Sequence, residues 1–288
     1  QFRGGIYHRD RHEQGIDAII RHGYIAHTLS GVMQMSDSVI AAQLYTVRDF
    51  VQSPEGIRTS FARIRELGYE AVQVSGVGPI SAIDLKQLAD EADLKIIATH
   101  ISYERIVSQP QAVIDDHLLW NCRHVGIGGL PGEYRSTEGF PRFAEEASRA
   151  VAPLIAAGLT FNYHNHSFEF ERFGQRTGYE ILLERSNPGV FCAELDTYWV
   201  QHGGANPATW LRRLKDRMHI VHLKDMAVVE GKQTFAEVGE GNLDWVEILA
   251  ACREADIEWY IVEQDTCPGD PFESLGVSFR NLRQMGIH

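Results

Sequence analysis

The sequence predicts a (β/α)8 barrel, and three observations lead to this fold class. Short runs of Val, Ile, Leu and aromatic residues alternate with longer segments whose apolar residues recur every three or four positions, the patterns of buried strands and amphipathic helices. Eight such pairs lie between Val39 and His288. This span gives about 31 residues per pair, the length of a crossover between parallel strands. Eight alternating units of this size favour closure into a barrel.

The predicted strands are short apolar runs, most of which end in polar residues. They cover residues 39–45, 71–75, 94–100, 124–127, 159–164, 190–196, 219–223 and 259–263. Helical patterns fill the intervals, at residues 53–67, 81–92, 111–120, 141–157, 179–186, 207–215, 243–255 and 271–285. Ser53 and Pro54 suit the N-cap and the first position of the first helix. An open doubly wound sheet is the alternative, but no GxGxxG motif follows a predicted strand.

The composition excludes several classes of protein. The 288 residues carry a formal net charge of −12, and an acidic surface repels phosphate backbones, so we expect no nucleic-acid partner. The four cysteines form no CxxC pair, which argues against a disulfide framework or structural zinc and favours the cytoplasm. No apolar run approaches the roughly 18 residues of a membrane span, so no membrane partner is expected.

The first 34 residues differ from the rest of the chain. They are rich in Arg, His and Gly, and their apolar residues are scattered. We expect residues 1–34 to be a disordered extension, with a helix near residues 15–25 as the alternative. Residues 35–288 are expected to form a single barrel domain. The sequence leaves open whether this domain assembles into a homo-oligomer.

Polar residues at the ends of the last four strands are the candidate functional residues, because active sites of this fold lie at the carboxyl ends of the strands. The ends carry His164 and His166, then Asp196, His222 and Glu263. Two imidazoles and two carboxylates, from His164, Asp196, His222 and Glu263, suit one divalent Mn²⁺, Co²⁺, Fe²⁺ or Zn²⁺ better than Ca²⁺ or Mg²⁺. A hydrogen-bonded polar network without metal is the alternative.

Short motifs from residue 39 onward resemble the xylose-isomerase-like TIM barrel superfamily, the group of sugar phosphate isomerases/epimerases. Most of these motifs lie at or just after the predicted strand ends. They are QLYT at 43–46, YHNH at 163–166, LDTYW at 195–199, HLKD at 222–225, GEG at 239–241 with DW at 244–245, and EQD at 263–265.

The resemblance implies a metal site with one departure from the family pattern. Sugar epimerases of this family hold their metal through Glu, Asp, His and Glu on strands five to eight, and Asp196, His222 and Glu263 match the last three. His164 stands in place of the first glutamate, and inosose dehydratases are similar in having a His-rich motif there. One of the two epimerase bases is therefore replaced, which leaves one-base isomerisation or β-elimination open.

The resemblance and the residues together predict a metal-dependent isomerase or epimerase that removes the α-proton of a keto sugar or polyol. Glu263 is the first candidate for the base, with His166, Lys224 and Glu169 as alternatives. Four residues are expected to contact the small sugar substrate: Tyr45, His100, Glu169 and Trp199. The competing functions are an inosose-dehydratase-like lyase, an endonuclease-IV-like enzyme, which the acidic charge disfavours, and a metal-free sugar-binding or partner-binding barrel.

Overall fold

Eight parallel strands close into a barrel in the computed structural model of the chain, which describes residues 39–288. The strands are β1 Ile40–Gln43, β2 Ala71–Val74, β3 Lys95–His100, β4 His124–Ile127, β5 Thr160–His164, β6 Phe191–Asp196, β7 Met218–Leu223 and β8 Trp259–Val262. The sheet closes where Ile40 pairs with Tyr260. The predicted barrel is confirmed, and the doubly wound alternative is wrong. The predicted extension at residues 1–34 lies outside the described residues.

The helices surround the barrel and follow the predicted pattern closely. The α-helices of residues 39–288 are Pro54–Glu66, Ala82–Glu91, Tyr103–Ser108, Pro110–Trp120, Gly139–Ala150, Ala152–Ala156, Gly178–Arg185, Thr197–His202, Pro207–Leu214, Trp245–Glu254 and Pro271–Gln284. The first begins as predicted, because the Ser53 side chain accepts a hydrogen bond from the Gly56 N–H at 3.2 Å. None of these helices combines the length and apolar character that a membrane crossing requires.

Three elements near the site were not predicted. A short hairpin joins Arg172–Phe173 to Arg176–Thr177, a second joins Asp225–Val229 to Lys232–Ala236, and helix Thr197–His202 follows β6 directly. The second hairpin turns at Glu230 and Gly231, which have φ values of 52° and 77°. Such a turn needs positive φ at both central residues, and glutamate is an uncommon choice there. The sequence therefore gave little sign of it.

Apolar residues form one layer between the strands and the helices and a smaller cluster inside the barrel. The inner cluster contains Ala41, Ala71, Ile97, Ala98, Ile220 and Ile261. Alternate residues of a strand face opposite sides of the sheet. Because Ile220 and Ile261 belong to the inner cluster, His222 and Glu263, two residues further along, are directed to the barrel interior at its carboxyl end.

Candidate active site

Four side chains converge at the carboxyl ends of β5 to β8. One donor atom from each of His164, Asp196, His222 and Glu263 lies within 4.8 Å of the other three. His164 Nε2 is 3.2 Å from Asp196 Oδ2 and 3.9 Å from Glu263 Oε2. His222 Nδ1 is 2.8 Å from Glu263 Oε2 and 3.9 Å from Asp196 Oδ2. The structure thus brings together the four residues that the strand ends predicted as metal ligands.

Two of these side chains, His222 and Asp196, are also held from outside the group. His222 Nε2 lies 2.6 Å from Gln73 Oε1 and 2.9 Å from Glu194 Oε1. Asp196 Oδ1 accepts a hydrogen bond from the Trp199 backbone N–H at 2.8 Å, which leaves Oδ2 toward the group. Partners that fix the far side of a ligand are typical of metal centres.

The donor set fits a divalent transition metal. Two imidazole nitrogens and two carboxylate oxygens from four different strands form a compact group whose members are at most 5% exposed. In the absence of another cation, two buried carboxylates so close together would repel each other. Room for water or substrate oxygens in such a mixed set is typical of catalytic sites.

A buried polar layer supports the group from inside the barrel. Glu194 accepts hydrogen bonds from Gln73 Nε2 at 2.7 Å and lies 2.6 Å from His100 Nε2. Gln43 Nε2 donates in turn to Gln73 Oε1 at 2.7 Å. Gly126 of β4 leaves room for this layer, since a Cβ there would lie 3.0 Å from His100 Cδ2. His100 was predicted to contact the sugar, and its Nε2 pairs with Glu194 in this layer.

Lys224 adds a cation to the group. Its Nζ lies 3.1 Å from Asp196 Oδ2 and 2.7 Å from both Glu263 Oε2 and Asp265 Oδ2. The side chain is 1% exposed. Burial alone would lower the pKa of Lys224, but Asp196, Glu263 and Asp265 outweigh burial and raise the pKa above its usual value. An ammonium held by three carboxylates is a poor proton acceptor, so we remove Lys224 from the candidate bases.

The ligand side chains differ in charge. Burial lowers the pKa of His164 well below its usual value, with His222 and Lys224 adding to the effect. Burial also opposes charge on His222, but Glu194 and Glu263 prevail and raise its pKa to about 10. Burial would raise the pKa of Glu263, yet Lys224 and His222 hold it well below its usual range. These pKa directions favour a neutral His164, a protonated His222 and an ionised Glu263, so His222 must lose a proton before its Nδ1 can bind a metal.

An aromatic wall borders the group on the side of His164. Strand β5 ends at His164, and the His166 ring packs 5.9 Å from the Phe168 ring and 5.2 Å from the Trp199 ring. His166 Nδ1 and Trp199 Nε1 are buried and make no hydrogen bond within the protein. Burial lowers the pKa of His166 to about 3, so its imidazole is neutral. Unpaired buried polar atoms are costly, and a bound molecule would complete them.

Glu169 and Tyr45 lie apart from the convergent group. Glu169 is fully buried, accepts a hydrogen bond from Tyr163 Oη at 2.7 Å and another from the His166 backbone N–H at 2.9 Å. Both of its oxygens accept a hydrogen bond, which anchors the segment after β5, and its role as a base or substrate contact stays a prediction. Tyr45 follows β1, is 37% exposed and stacks on Arg48 at 4.5 Å, so it remains a candidate at the rim.

Asp225 explains the Gly-Glu-Gly and Asp-Trp motifs without any ligand. Its buried carboxylate accepts hydrogen bonds from the backbone N–H groups of Gly239 at 2.9 Å and Gly241 at 3.0 Å, and from Trp245 Nε1 at 2.5 Å. A Cβ at Gly241 would lie 2.3 Å from Asp225 Oδ1. These residues fasten the loop between β7 and the following helix.

Sequence reasoning missed Gln73 and Asp265. Gln73 interrupts the apolar strand β2, and a polar residue at an inward position was the available signal. Asp265 follows Glu263 by two residues in the EQD motif, but only the fold shows that it meets Lys224.

The family model described as xylose isomerase-like TIM barrel matches residues 61–284. The chain belongs to this family. A sugar phosphate isomerase/epimerase of Parabacteroides distasonis superposes with a TM-score of 0.72 at 20% identity, covering 87% of this chain and 99% of that one. A D-allulose 3-epimerase of Methylomonas sp., solved with D-allulose, gives a TM-score of 0.62 at 17% identity over 86% of this chain and 97% of that one. At these identities the likeness concerns the fold.

One curated relative matches part of the chain. An inosose dehydratase of Geobacillus kaustophilus is 30% identical over 138 residues, which are 42% of this chain and 44% of the relative. The chain thus matches less than half the length of that enzyme. Members of the family and its neighbours include sugar isomerases, epimerases and dehydratases, so an enzyme is the natural assignment for this barrel.

Proposed function

We propose that the protein is a divalent-metal-dependent sugar isomerase or epimerase that removes the proton beside the carbonyl of a keto sugar or keto polyol. The observation that carries this proposal is the convergence of His164, Asp196, His222 and Glu263 within 4.8 Å. It occurs at the carboxyl mouth of the barrel, where this fold performs its chemistry. Family membership and the D-allulose-bound neighbour support a sugar as the substrate class.

The metal would be held by two nitrogens and two oxygens of the group, and Mn²⁺, Co²⁺, Fe²⁺ or Zn²⁺ match these donors. The donors are His164 Nε2, Asp196 Oδ2, His222 Nδ1 and Glu263 Oε2. When bound, the metal supplies positive charge that stabilises the negative charge developing on the substrate oxygens as the proton leaves.

Glu263 is the residue that we assign to proton removal. It is ionised, lies at the end of a rigid strand and is 5% exposed. His166 is the second candidate proton carrier, because its imidazole is neutral and its Nδ1 has no partner in the protein. A base with hydrogen-bond reach of the substrate proton is the requirement for this chemistry.

Substrate hydroxyls would be recognised at the aromatic wall. Trp199 Nε1 and His166 Nδ1 are buried without partners beside His164. The hydroxyl groups of a polyol would form hydrogen bonds with these two nitrogens, whereas an apolar ligand would leave both of them buried without a partner. Tyr45 would close the site from the rim, and His100 would act through Glu194, with which it pairs at 2.6 Å.

Elimination of water from a keto polyol is a second candidate function. His164 occupies the position where the resemblance places a glutamate, so the site has one fewer carboxylate to return a proton on the opposite face. The 30% identity with an inosose dehydratase points the same way. Removal of an α-proton by one base serves a one-base isomerisation and a β-elimination equally, and the fate of the product distinguishes them.

Product mass separates the two functions. Metal-loaded protein is incubated with a panel of keto sugars and keto polyols in D2O, and the masses of the products are measured by mass spectrometry. An isomerase or epimerase conserves the substrate formula apart from exchanged deuterium, whereas a dehydratase product lacks one water. Glu263→Gln should reduce turnover by roughly two to four orders of magnitude, while the exposed control Glu171→Gln should not. Wild-type turnover in Glu263→Gln would exclude Glu263 as the base.

A further inference from the structure

The ammonium of Lys224 contacts the two carboxylate oxygens that would bind the metal. Its Nζ lies 3.1 Å from Asp196 Oδ2 and 2.7 Å from Glu263 Oε2. The same two oxygens face His164 Nε2 and His222 Nδ1 in the convergent group. Two positive ions this close to each other repel strongly in a buried site. The ammonium and a divalent cation therefore compete for the same two carboxylates.

A third carboxylate offers Lys224 a second position. Asp265 Oδ2 lies 2.7 Å from Nζ, and Asp265 is outside the group of four. Its side chain is 24% exposed, whereas those of Asp196 and Glu263 are 0% and 5% exposed. Asp265 is therefore the carboxylate partner of Lys224 that a metal bound by the group of four would leave available.

The backbone of Lys224 is fixed, so only the side chain is free to change partners. The Lys224 N–H donates to Thr197 Oγ1 at 3.0 Å, and Thr197 Oγ1 donates to the Lys224 carbonyl at 2.8 Å. The aromatic rings of Trp199 and Phe235 lie 5.7 Å and 6.0 Å from Nζ. At these distances the two rings add a weak attraction to the ammonium.

We propose that Lys224 is the counter-ion of the metal-free site, and that it releases Asp196 and Glu263 to the incoming metal while it keeps Asp265. This inference rests on the proposed metal centre and deepens it. Lys224 is then a positioning residue that holds two buried anions together until the metal replaces it. Metal affinity is lower than the four donors alone would give, because each binding event must displace a paired cation.

Metal affinity measured without substrate tests this exchange. Chelator-treated wild type, Lys224→Met and the exposed control Lys232→Met are titrated with MnCl2 by calorimetry. Lys224→Met keeps an unbranched side chain one atom shorter than lysine and removes its charge. We expect it to bind Mn²⁺ about tenfold more tightly than wild type, since one repelling charge is lost. Lys232→Met should match wild type.

Thermal unfolding provides the second readout. Without metal, Lys224→Met removes the ammonium beside Asp196 and Glu263 and leaves His222 as their charged neighbour, so its melting temperature should fall below that of wild type. Saturating Mn²⁺ should remove most of this difference, because the metal takes over the two carboxylates. A lysine with a purely structural role would lower the melting temperature to the same extent in both states and would leave the affinity unchanged.

Asp265→Asn keeps the test decisive if Lys224→Met does not fold. This variant removes the partner that accepts the displaced ammonium, so we expect Mn²⁺ to bind about tenfold more weakly. Wild-type binding that is unchanged in Lys224→Met or in Asp265→Asn would refute the exchange alone. Absence of Mn²⁺ binding by every variant would refute the metal centre together with the exchange.

Discussion

Glu194→Gln tests whether the buried polar layer supports the convergent group. Glu194 is 0% exposed and lies 2.6 Å from His100 Nε2, 2.7 Å from Gln73 Nε2 and 2.9 Å from His222 Nε2. A glutamine at this position has one acceptor oxygen instead of two, so its NH2 group would face at least one N–H donor of the neighbouring side chains. Loss of a charge-assisted buried hydrogen bond costs about 3 kcal/mol.

This cost can be converted to measurable quantities. For a chain of this size, about 3 kcal/mol lowers the melting temperature by roughly 6–12 °C. Partners behind metal ligands are worth roughly 10- to 100-fold in metal affinity, so Mn²⁺ binding should weaken by that factor. Differential scanning calorimetry and Mn²⁺ titration measure the two effects. Glu171→Gln, the same change at an exposed position, is the control.

Acid titration of wild type adds an independent check. Burial would raise the pKa of Glu194, but His100 and His222 hold it well below its usual value. The stability from this carboxylate is therefore present above the unfolded pKa of about 4.3 and is lost as the pH falls toward the lower folded pKa. Glu194→Gln should lack this component. Wild-type melting temperature, Mn²⁺ affinity and acid sensitivity in the variant would refute the supporting role of the layer.

Two further predictions concern buried carboxylates outside the group. Asp225→Asn places an amide group against the Gly239, Gly241 and Trp245 donors, so urea unfolding should show a loss of about 3 kcal/mol; a loss below about 1 kcal/mol would contradict the fastening role. Burial raises the pKa of Glu169 to about 7, so the folded protein binds a proton at this carboxyl more tightly than the unfolded chain does. The stability that protonated Glu169 contributes is therefore complete below pH about 4.5 and is lost as the pH rises through 7. Glu169→Gln should abolish that decline between pH 5 and 8 in the same urea assay, and an unchanged pH profile would rule Glu169 out as its source.

The eight-strand pattern was predictable because it is local. Period-two alternation and apolar runs identified each barrel strand within two residues, from β1 at Ile40–Gln43 to β8 at Trp259–Val262. The hairpin at residues 225–236 was not predictable, because its strands extend from the barrel and its turn uses Glu230. Helix Thr197–His202 was missed because it is short and begins directly after the last residue of a strand.

The convergence of the four candidate ligands was predictable for a related reason. Once eight parallel strands are assumed, the polar residues at the ends of neighbouring strands must meet. The supporting layer was not predictable, since Gln73 contacts His222 across 149 positions and Glu194 across 121. The contacts of Glu169 with Tyr163 and His166 were not predictable, because the chain leaves the strand direction after His164 and local alternation no longer indicates which way a side chain points.

The metal content of the purified protein tests the central claim most directly. Wild type, Asp196→Ala and the exposed control Asp84→Ala are treated with chelator, incubated with Mn²⁺, Co²⁺ or Zn²⁺, and desalted. The metal bound per chain is then measured by inductively coupled plasma mass spectrometry. We predict about one metal ion per chain in wild type and in the control, and a clear loss in Asp196→Ala, because removal of one of four protein ligands weakens such a site severely. Equal metal content in all three proteins, or none in wild type, would contradict a metal centre built from His164, Asp196, His222 and Glu263.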